Sequence, residues 1–190
     1  MIELAHRLDE PAELSSHRRA NPGGTWDDHA FGVIRPIVRR QLNHEQEGLC
    51  VYCETELGED DGHVEHIKSK GVNPPLTFVY DNLAHSCDGP RHGPRHCGHH
   101  KKRQALPIEP RPGCNRFFAV MASDGRMVAA AGLLPGEAEQ ATNTIFILGL
   151  NAPSLSWRRK GYVDAIIRLS SAEKGAYIAT MPFRWALREL

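Results

Sequence analysis

The sequence has no long apolar run, and this absence excludes several classes of protein. No stretch approaches the roughly 18 consecutive apolar residues of a membrane-spanning helix. The start, MIELAHRLDE, carries charges where a secretory signal peptide needs an apolar segment. We therefore expect neither a membrane span nor secretion, and we expect a cytoplasmic protein.

Aromatic residues are scarce and the charges cancel, but apolar residues are plentiful. Aromatics make up 7% of the 190 residues, the formal net charge is zero, and 41% of the residues are hydrophobic. That fraction is enough for a core, which excludes a wholly disordered or collagen-like chain. Because no repeat or linker-like tract interrupts the sequence, we predict one domain over 1–190. Its predicted parts are an N-terminal helical region (1–48), a central core (49–105), and a hairpin with a C-terminal helical region (106–190).

The zero net charge conceals an uneven distribution along the chain. Residues 1–62 contain 6 basic and 13 acidic residues, whereas residues 63–103 contain 7 basic and 3 acidic residues. The middle segment also holds seven of the 11 histidines. A basic, histidine-rich segment can contact phosphate while the acidic N-terminal third faces another partner. Ordinary scatter of surface charge explains the same distribution, so charge alone does not decide the partner.

Cysteine occurs in an odd number, five, which argues against a disulfide framework in a chain with no secretion signal. The spacing Cys50-x-x-Cys53 lets two thiolates reach one ion, and zinc binds four such ligands. Cys87 and Cys97 enclose DGPRHGPRH, an insert rich in Gly and Pro that can loop out. We therefore predict a structural Zn²⁺ site with all four of these thiolates as ligands.

Alternatives at the cysteines stay open. His92 or His96 can replace one thiolate. A thioredoxin-like redox pair at Cys50 and Cys53 needs a βαβ context, and the acidic, turn-rich surroundings EQEGLCVYCETELGEDD do not supply one. Cys114 is expected to be a plain buried thiol.

Hydrophobic periodicity predicts an α+β protein. Apolar residues recur at helical spacing over 30–42, and Pro36 is expected to kink or restart that helix. HVEHI (63–67) and LTFVY (76–80) predict two short strands. RFFAV and RMVAA flank an Asp-Gly turn typical of a hairpin.

The C-terminal part of the sequence predicts further helices. EAEQATNTIFILGL favours a helix, a second is expected from Pro153 to about Ser170, and a last one near 177–190. In the second of these, Trp157 is expected to pack inward, and the charges of the neighbouring RRK segment are expected to face solvent.

Three short segments near the cysteine pairs carry residues suited to catalysis. In HVEHIKSK, Glu65 and His66 point to opposite sides of a strand, so one can bind a metal while the other faces substrate. A neutral imidazole takes a proton from water near neutral pH, which makes His66 a candidate general base. In YDNLAHSC, Asn82 can clamp a loop by donating and accepting hydrogen bonds. In CGHHKK, His99 or His100 can supply a second metal ligand.

Together these motifs resemble the HNH, or ββα-metal (His-Me finger), nuclease motif. The shared pattern is C-x-x-C, an acidic residue and His before a basic loop, D-N-L with S-C, and a further Cys followed by His and Lys. EPAEL, HVEHIKSK, VYDNLAHSC and LGLNAPSLSWRR extend the resemblance over nearly the whole chain, to the PtuB-like proteins of Septu and retron anti-phage systems. The resemblance implies an α+β fold with a small ββα-metal core that zinc stabilises and that N- and C-terminal helices flank.

The resemblance implies an endonuclease that hydrolyses phosphodiester bonds of DNA, with RNA as an alternative substrate. His66 would activate water, Glu65 would bind a divalent ion, and Asn82 would orient the catalytic loop. The family's last metal ligand usually follows the second cysteine directly. Gly98 stands there in this chain, so the role is assigned to His99 with His100 close behind. The side chains expected to bind backbone phosphate are Lys68, Lys70, Lys101, Lys102 and Arg103.

The implied cofactors are the structural Zn²⁺ and a catalytic divalent cation, Mg²⁺ or Mn²⁺, with Zn²⁺ or Ni²⁺ as alternatives. The implied partners are an SMC/ABC-type ATPase and a retron nucleic acid, and no membrane is expected. Two other functions stay open. A zinc nucleobase deaminase matches His63-Val64-Glu65 but lacks the P-C-x-x-C that should follow. A zinc-stabilised binding module without turnover would dock a basic partner on its acidic N-terminal third.

Overall fold

The computed structural model describes residues 1–6, 8–90 and 92–188. In these residues the chain has an α+β fold of seven α-helices and two antiparallel two-stranded sheets. The helices are α1 (Ala12–Ala20), α2 (His29–Gly32), α3 (Arg35–Glu45), α4 (Gly98–Lys101), α5 (Pro135–Leu148), α6 (Pro153–Ile167) and α7 (Ser171–Thr180). The strands are β1 (His63–His66), β2 (Leu83–Ser86), β3 (Phe118–Val120) and β4 (Met127–Ala129). Within the same ranges, no helix has both the length and the apolar character that crossing a membrane requires.

The N-terminal helical segment is interrupted, as its proline predicts. The Asp28 carboxylate accepts hydrogen bonds from Thr25 N (2.8 Å) and Thr25 Oγ1 (2.6 Å) just before α2 begins. Pro36 lies in the first turn of α3, where a missing N–H leaves no helical bond unmade. The predicted restart is therefore confirmed, and it lets Val38 and Leu42 become fully buried.

The first sheet pairs β1 with β2, and its second strand lies later in the chain than predicted. His63 pairs with Ser86, and the register continues to the end of β1. The strand predicted at 76–80 is wrong, because the chain there runs between two 3₁₀ turns. Phe78 and Tyr80 are buried against the N-terminal helices. The apolar pattern of this segment therefore comes from side-chain burial and not from strand pairing.

Two apolar clusters meet at the β1–β2 sheet. Val64 and Leu83 join a cluster with the N-terminal helices. Ile67 and Ala84 join a larger cluster with the cysteines, the C-terminal helices and the first residues of the chain. The sheet is thus held from both sides, which fixes the direction of every side chain on β1.

The second sheet confirms the predicted Asp-Gly hairpin. β3 pairs with β4, and Gly125 in the turn has φ +72°, a conformation that favours glycine. A Cβ at this position would lie 2.2 Å from the backbone oxygen of Ser156 in α6. The glycine therefore permits the hairpin turn to touch α6 directly.

The face of α6 that packs inward differs from the prediction. Trp157 is 78% exposed, whereas Arg159 is fully buried. Arg159 Nε donates to the Gly125 carbonyl oxygen at 2.9 Å, and its Nη2 donates to the Leu150 carbonyl oxygen. Burial lowers the pKa of Arg159 to about 10, which still leaves the guanidinium charged at neutral pH. Two backbone carbonyls thus replace water at Nε and Nη2 of this side chain.

The last helix lies earlier than predicted. α7 begins after Ser170, whose backbone N–H and hydroxyl both donate to Glu173 in a capping box. It ends at Thr180, before Pro182, because a residue that precedes proline avoids the helical conformation. Residues 189 and 190 of the predicted helix lie outside the described residues.

We predict that Arg159→Ala lowers the free energy of unfolding by about 2–4 kcal/mol, since it leaves two buried carbonyls without donors. Chemical denaturation measures the change. Arg168→Ala is the matched control, because Arg168 is exposed at the end of α6 and should change stability by less than about 0.5 kcal/mol. Equal losses in the two variants would contradict this role for Arg159.

Candidate active site

The structure brings the four predicted zinc ligands together. Cys50 and Cys53 lie on the turn between α3 and β1, Cys87 directly follows β2, and Cys97 directly precedes α4. Their sulfur atoms all lie within 4.8 Å of one another, with Sγ–Sγ distances of 3.8 Å for Cys50–Cys97 and 3.7 Å for Cys53–Cys87. Four sulfurs around one zinc at about 2.3 Å would lie roughly 3.8 Å apart. The cluster therefore has the dimensions of a tetrahedral metal site.

The histidines of the long insert do not replace a thiolate in this arrangement. His96 borders the cluster, with its Nδ1 3.2 Å from Cys97 Sγ. His92 is exposed. With four buried sulfurs already converging, the His96 ring is placed to hydrogen-bond one sulfur of the cluster.

Strand β1 separates the candidate catalytic residues onto two faces. His66 packs on the face of the N-terminal helices, with its ring edge-on to Trp26 at 4.4 Å between centroids. His63 and Glu65 point to the opposite face, toward α4. Alternation along a strand produces this division, as the sequence predicts for Glu65 and His66.

His66 is a buried imidazole with a defined tautomer. Its Nε2 lies 3.0 Å from the carbonyl oxygen of Thr77. Because a carbonyl only accepts, Nε2 carries the proton and Nδ1 carries the lone pair. Burial lowers the pKa of His66 to about 4, so the ring is neutral at physiological pH.

Asn82 clamps the loop that leads from β1 to β2. Its Oδ1 accepts from the Lys68 backbone N–H at 2.8 Å, and its Nδ2 donates to the Lys68 carbonyl at 2.9 Å. Nδ2 also donates to the Leu76 carbonyl at 3.2 Å. Leu76 precedes Thr77, so this amide fixes the segment whose carbonyl holds the His66 ring.

Glu65 is a buried carboxylate with three partners. Lys101 Nζ lies 2.8 Å from Oε1, Tyr52 donates its hydroxyl to Oε1 at 3.3 Å, and His63 Nε2 lies 3.4 Å from Oε2. Burial acts to raise the pKa of Glu65, but the His63 hydrogen bond and the Lys101 charge outweigh it and lower the pKa. Glu65 is therefore ionised, and its Oε1 is already paired with a cation.

Lys101 differs from its expected role as a phosphate ligand. Its side chain is fully buried, and its Nζ bonds to Glu65 and to the His66 carbonyl oxygen at 3.1 Å. A buried, paired ammonium cannot reach a nucleic-acid backbone. The neighbouring Lys102 and Arg103 are exposed, as expected.

The other two expected phosphate ligands lie on the loop that follows β1. Lys68 Nζ is 3.6 Å from Glu109 Oε1, and Lys70 Nζ is 3.7 Å from Asp27 Oδ2. Both pairs are exposed enough for the lysines to exchange partners, because surface ion pairs contribute little. Lys70 also lies 5.6 Å from the centre of the Trp26 ring that borders His66.

The structure separates the two expected histidine ligands. His99 points to the Glu65 side of β1, where its Nε2 lies 3.0 Å from Asp88 Oδ1. His100 points toward α5 instead, with its Nδ1 2.9 Å from the Ile147 carbonyl oxygen. Successive helix positions differ by about 100° in direction, so two adjacent histidines do not share one site.

Sequence reasoning missed two residues that lie beside His99, namely His63 and Asp88. With His99 they form a group whose ligand atoms all lie within 4.8 Å of one another. His63 was detectable, because it stands two residues before Glu65 and so shares its face of β1. Asp88 follows a zinc-ligand candidate directly, but no pattern in the sequence links it to His63.

Comparison with known proteins identifies the family. No protein-family model matches the chain. A Vibrio cholerae (serotype O1 biovar El Tor) protein, provisionally named as the HNH endonuclease of retron Vc95, is 34% identical over 205 residues, covering 100% of this chain and 99% of that protein. An Escherichia coli protein, provisionally named as the HNH endonuclease of retron Ec83, is 35% identical over 78 residues, covering 36% of this chain and 30% of that protein. Because the first of these matches extends over both whole chains, the chain belongs to the family of retron HNH endonucleases.

Proposed function

We propose that the chain is a metal-dependent HNH endonuclease that hydrolyses phosphodiester bonds of DNA. The observation that carries the proposal is the state of His66, a neutral buried imidazole whose Nε2 proton is held by the Thr77 carbonyl. Such a ring presents a basic Nδ1 in a fixed orientation. The names of the two relatives support the same activity.

In the proposed reaction His66 acts as the general base. Its Nδ1 takes a proton from a water molecule, the water oxygen attacks phosphorus, the bond to O3′ breaks, and O3′ takes up a proton from solvent. The products carry 5′-phosphate and 3′-hydroxyl ends. The negative charge of a bound phosphate would act to raise the pKa of the ring from about 4 and so strengthen it as a base.

A divalent cation, Mg²⁺, Mn²⁺ or another of similar size, is part of the proposal. When bound, it would stabilise charge on the phosphate and on the departing oxygen. Imidazole nitrogens and a carboxylate oxygen that could hold such an ion converge on the α4 side of β1. We expect His99 to bind the ion there and Glu65, already paired with Lys101, to support the site from behind, whereas the direction of His100 argues against a role for it.

Substrate contacts and loop positioning fall to neighbouring residues. Lys68, Lys70, Lys102 and Arg103 are proposed to bind backbone phosphates, which fixes position without reading sequence. Asn82 is proposed as a positioning residue, because its amide bonds hold the backbone next to Thr77. RNA stays an alternative substrate for the same chemistry.

The four-cysteine cluster is proposed to bind a structural Zn²⁺. The sulfur spacing and complete burial match a closed tetrathiolate site. Such a site leaves no position open for water or substrate. We therefore assign it to folding of the core and not to the reaction.

We further infer that the enzyme acts in a retron- or Septu-type anti-phage complex with an SMC/ABC-type ATPase. The support is the retron origin in the names of both relatives together with the resemblance in sequence. The acidic residues of 1–62 or the C-terminal helices are the proposed contact. Co-purification with the ATPase that survives charge reversal on both surfaces would reject this placement.

Plasmid nicking tests the proposed function. We expect the wild-type protein to nick DNA with Mg²⁺ or Mn²⁺ but not with chelator, and His66→Ala to reduce the rate by about 10²–10⁴-fold. His29→Ala, which alters an exposed histidine, is the control and should nick normally. Full nicking by His66→Ala would contradict the assigned base. Absence of nicking by the wild type would favour a binding module, and base conversion without strand breaks would favour a deaminase.

The state of His66 is directly measurable by NMR. We expect its ring to stay neutral, with the proton on Nε2, between about pH 5 and pH 8, because burial holds its pKa near 4. This value lies below the usual histidine pKa of about 6.5. The neutral ring therefore contributes its full stabilisation of the fold above about pH 6.5, and this contribution is lost as the pH falls from there toward 4. Histidine ¹⁵N shifts, assigned with His66→Gln, measure the titration. A midpoint near 6.5 would contradict the buried, neutral state.

Removal of the proposed zinc should unfold the core. Structural zinc contributes on the order of 10–16 kcal/mol in small zinc-binding peptides, comparable to the whole stability of a domain. We expect Cys97→Ser to bind about one zinc fewer per chain than the wild type. We also expect its thermal unfolding to be no longer cooperative. Cys114→Ser is the matched control, since Cys114 is a buried cysteine outside the cluster. Equal zinc content in the two variants would contradict the assignment.

A further inference from the structure

Three side chains from separate segments converge on the α4 side of β1. Asp88 Oδ1 lies 2.8 Å from His63 Nδ1 and 3.0 Å from His99 Nε2. The two imidazole rings lie 4.5 Å apart between centroids. Ligand atoms around one zinc-sized ion are roughly 3.3 Å apart for bonds of about 2.0 Å. Both distances to Asp88 are close to this spacing, and the three ligand atoms all lie within 4.8 Å of one another, so small side-chain adjustments would let all three bind one ion.

The cluster is open to solvent on one side. The side chains of His63, Asp88 and His99 are 28%, 55% and 44% exposed, respectively. A catalytic ion needs protein ligands on one side and free positions for water and phosphate on the other. The buried four-cysteine cluster has no solvent-facing side for such free positions, whereas the His63–Asp88–His99 cluster has one.

Glu65 lies behind this cluster and not within it. His63 reaches Asp88 through Nδ1 and faces Glu65 Oε2 at 3.4 Å through Nε2. A histidine that binds metal through one nitrogen almost always donates its other N–H to a carboxylate or carbonyl. The ion pair with Lys101 and the Tyr52 hydroxyl hold Glu65 in place for that role.

Position 98 contributes no ligand and has no room for one. A Cβ on Gly98 would lie 2.5 Å from Glu65 Oε2 and 2.7 Å from His63 Nε2. The His63 ring and the Glu65 carboxylate fill the space that a side chain would need. The donors therefore come from β1, from the residue after Cys87, and from the next position of α4.

We propose that His63 Nδ1, Asp88 Oδ1 and His99 Nε2 bind the divalent ion, with Glu65 as a positioning residue that orients His63. The inference rests on the proposed nuclease function and names the ligands of its metal. Two imidazoles and one carboxylate favour a first-row transition ion, such as Mn²⁺, Co²⁺, Ni²⁺ or Zn²⁺, over Mg²⁺, which prefers oxygen ligands.

Calorimetric titration of zinc-loaded protein with Co²⁺ tests the ligands without relying on activity. We expect one further equivalent to bind to the wild type, and binding to weaken by more than about 100-fold in His63→Ala and in His99→Ala. Glu65→Gln should weaken binding by about 10–100-fold without abolishing it, as expected for an outer carboxylate. His92→Ala, which alters an exposed histidine outside the cluster, and His100→Ala should bind as the wild type does.

Two results would overturn the proposal. One is unchanged Co²⁺ binding in both His63→Ala and His99→Ala. The other is abolition of binding by Glu65→Gln while His63→Ala still binds. Mg²⁺ binding tighter than Co²⁺ binding would overturn the assigned class of ion.

Parallel nicking assays separate this proposal from the proposed function. Nicking by the wild type with unchanged Co²⁺ binding in both histidine variants would reject these ligands and leave the nuclease intact. Loss of the Co²⁺ equivalent in both variants, without nicking by the wild type under any metal, would support the ligands and reject the nuclease.

Discussion

The approach of four thiol groups from three chain segments is the constraint on which the rest of the structure depends. Cys50 and Cys53 come from a turn, Cys87 from the end of β2 and Cys97 from the start of α4. α4 has only four residues, far too few to form a stable helix alone. Its position therefore depends on its neighbours: the cysteine cluster that includes Cys97 lies on one side, and α5, whose Ile147 carbonyl meets His100, lies on the other. These contacts hold His99 and Lys101 against β1.

Strand alternation then gives one short segment two chemical environments. On one face, burial beside Trp26 lowers the pKa of His66 and keeps it neutral. On the other face, burial acts to lower the pKa of His63, but its hydrogen bonds to Glu65 and Asp88 outweigh this and raise it. The pKa values of two histidines three positions apart are thus shifted in opposite directions because their neighbours differ. This separation gives a neutral base and a candidate site for a cation on the same short strand.

Sequence reasoning succeeded where the determinants were local. The C-x-x-C spacing, the Asp-Gly hairpin and the proline-marked helix starts each depend on residues close in the chain. It failed where partners are distant. The run 76–80 is apolar because it packs under helices and not because it forms a strand. Arg159 is buried against the Gly125 carbonyl, which lies 34 positions away in the chain, so no local pattern predicts its burial. Likewise, the joining of Asp88 to His63 depends on how the insert before Cys97 folds back, which spacing alone does not specify.

X-ray absorption at the zinc K edge tests the central constraint most directly. The protein is loaded with one equivalent of zinc, and its coordination shell is measured in solution. The structure predicts four sulfur ligands at about 2.3 Å and no nitrogen or oxygen ligand. A shell dominated by nitrogen or oxygen would contradict it, and the cysteines would then lose their assigned part in placing α4 against β1.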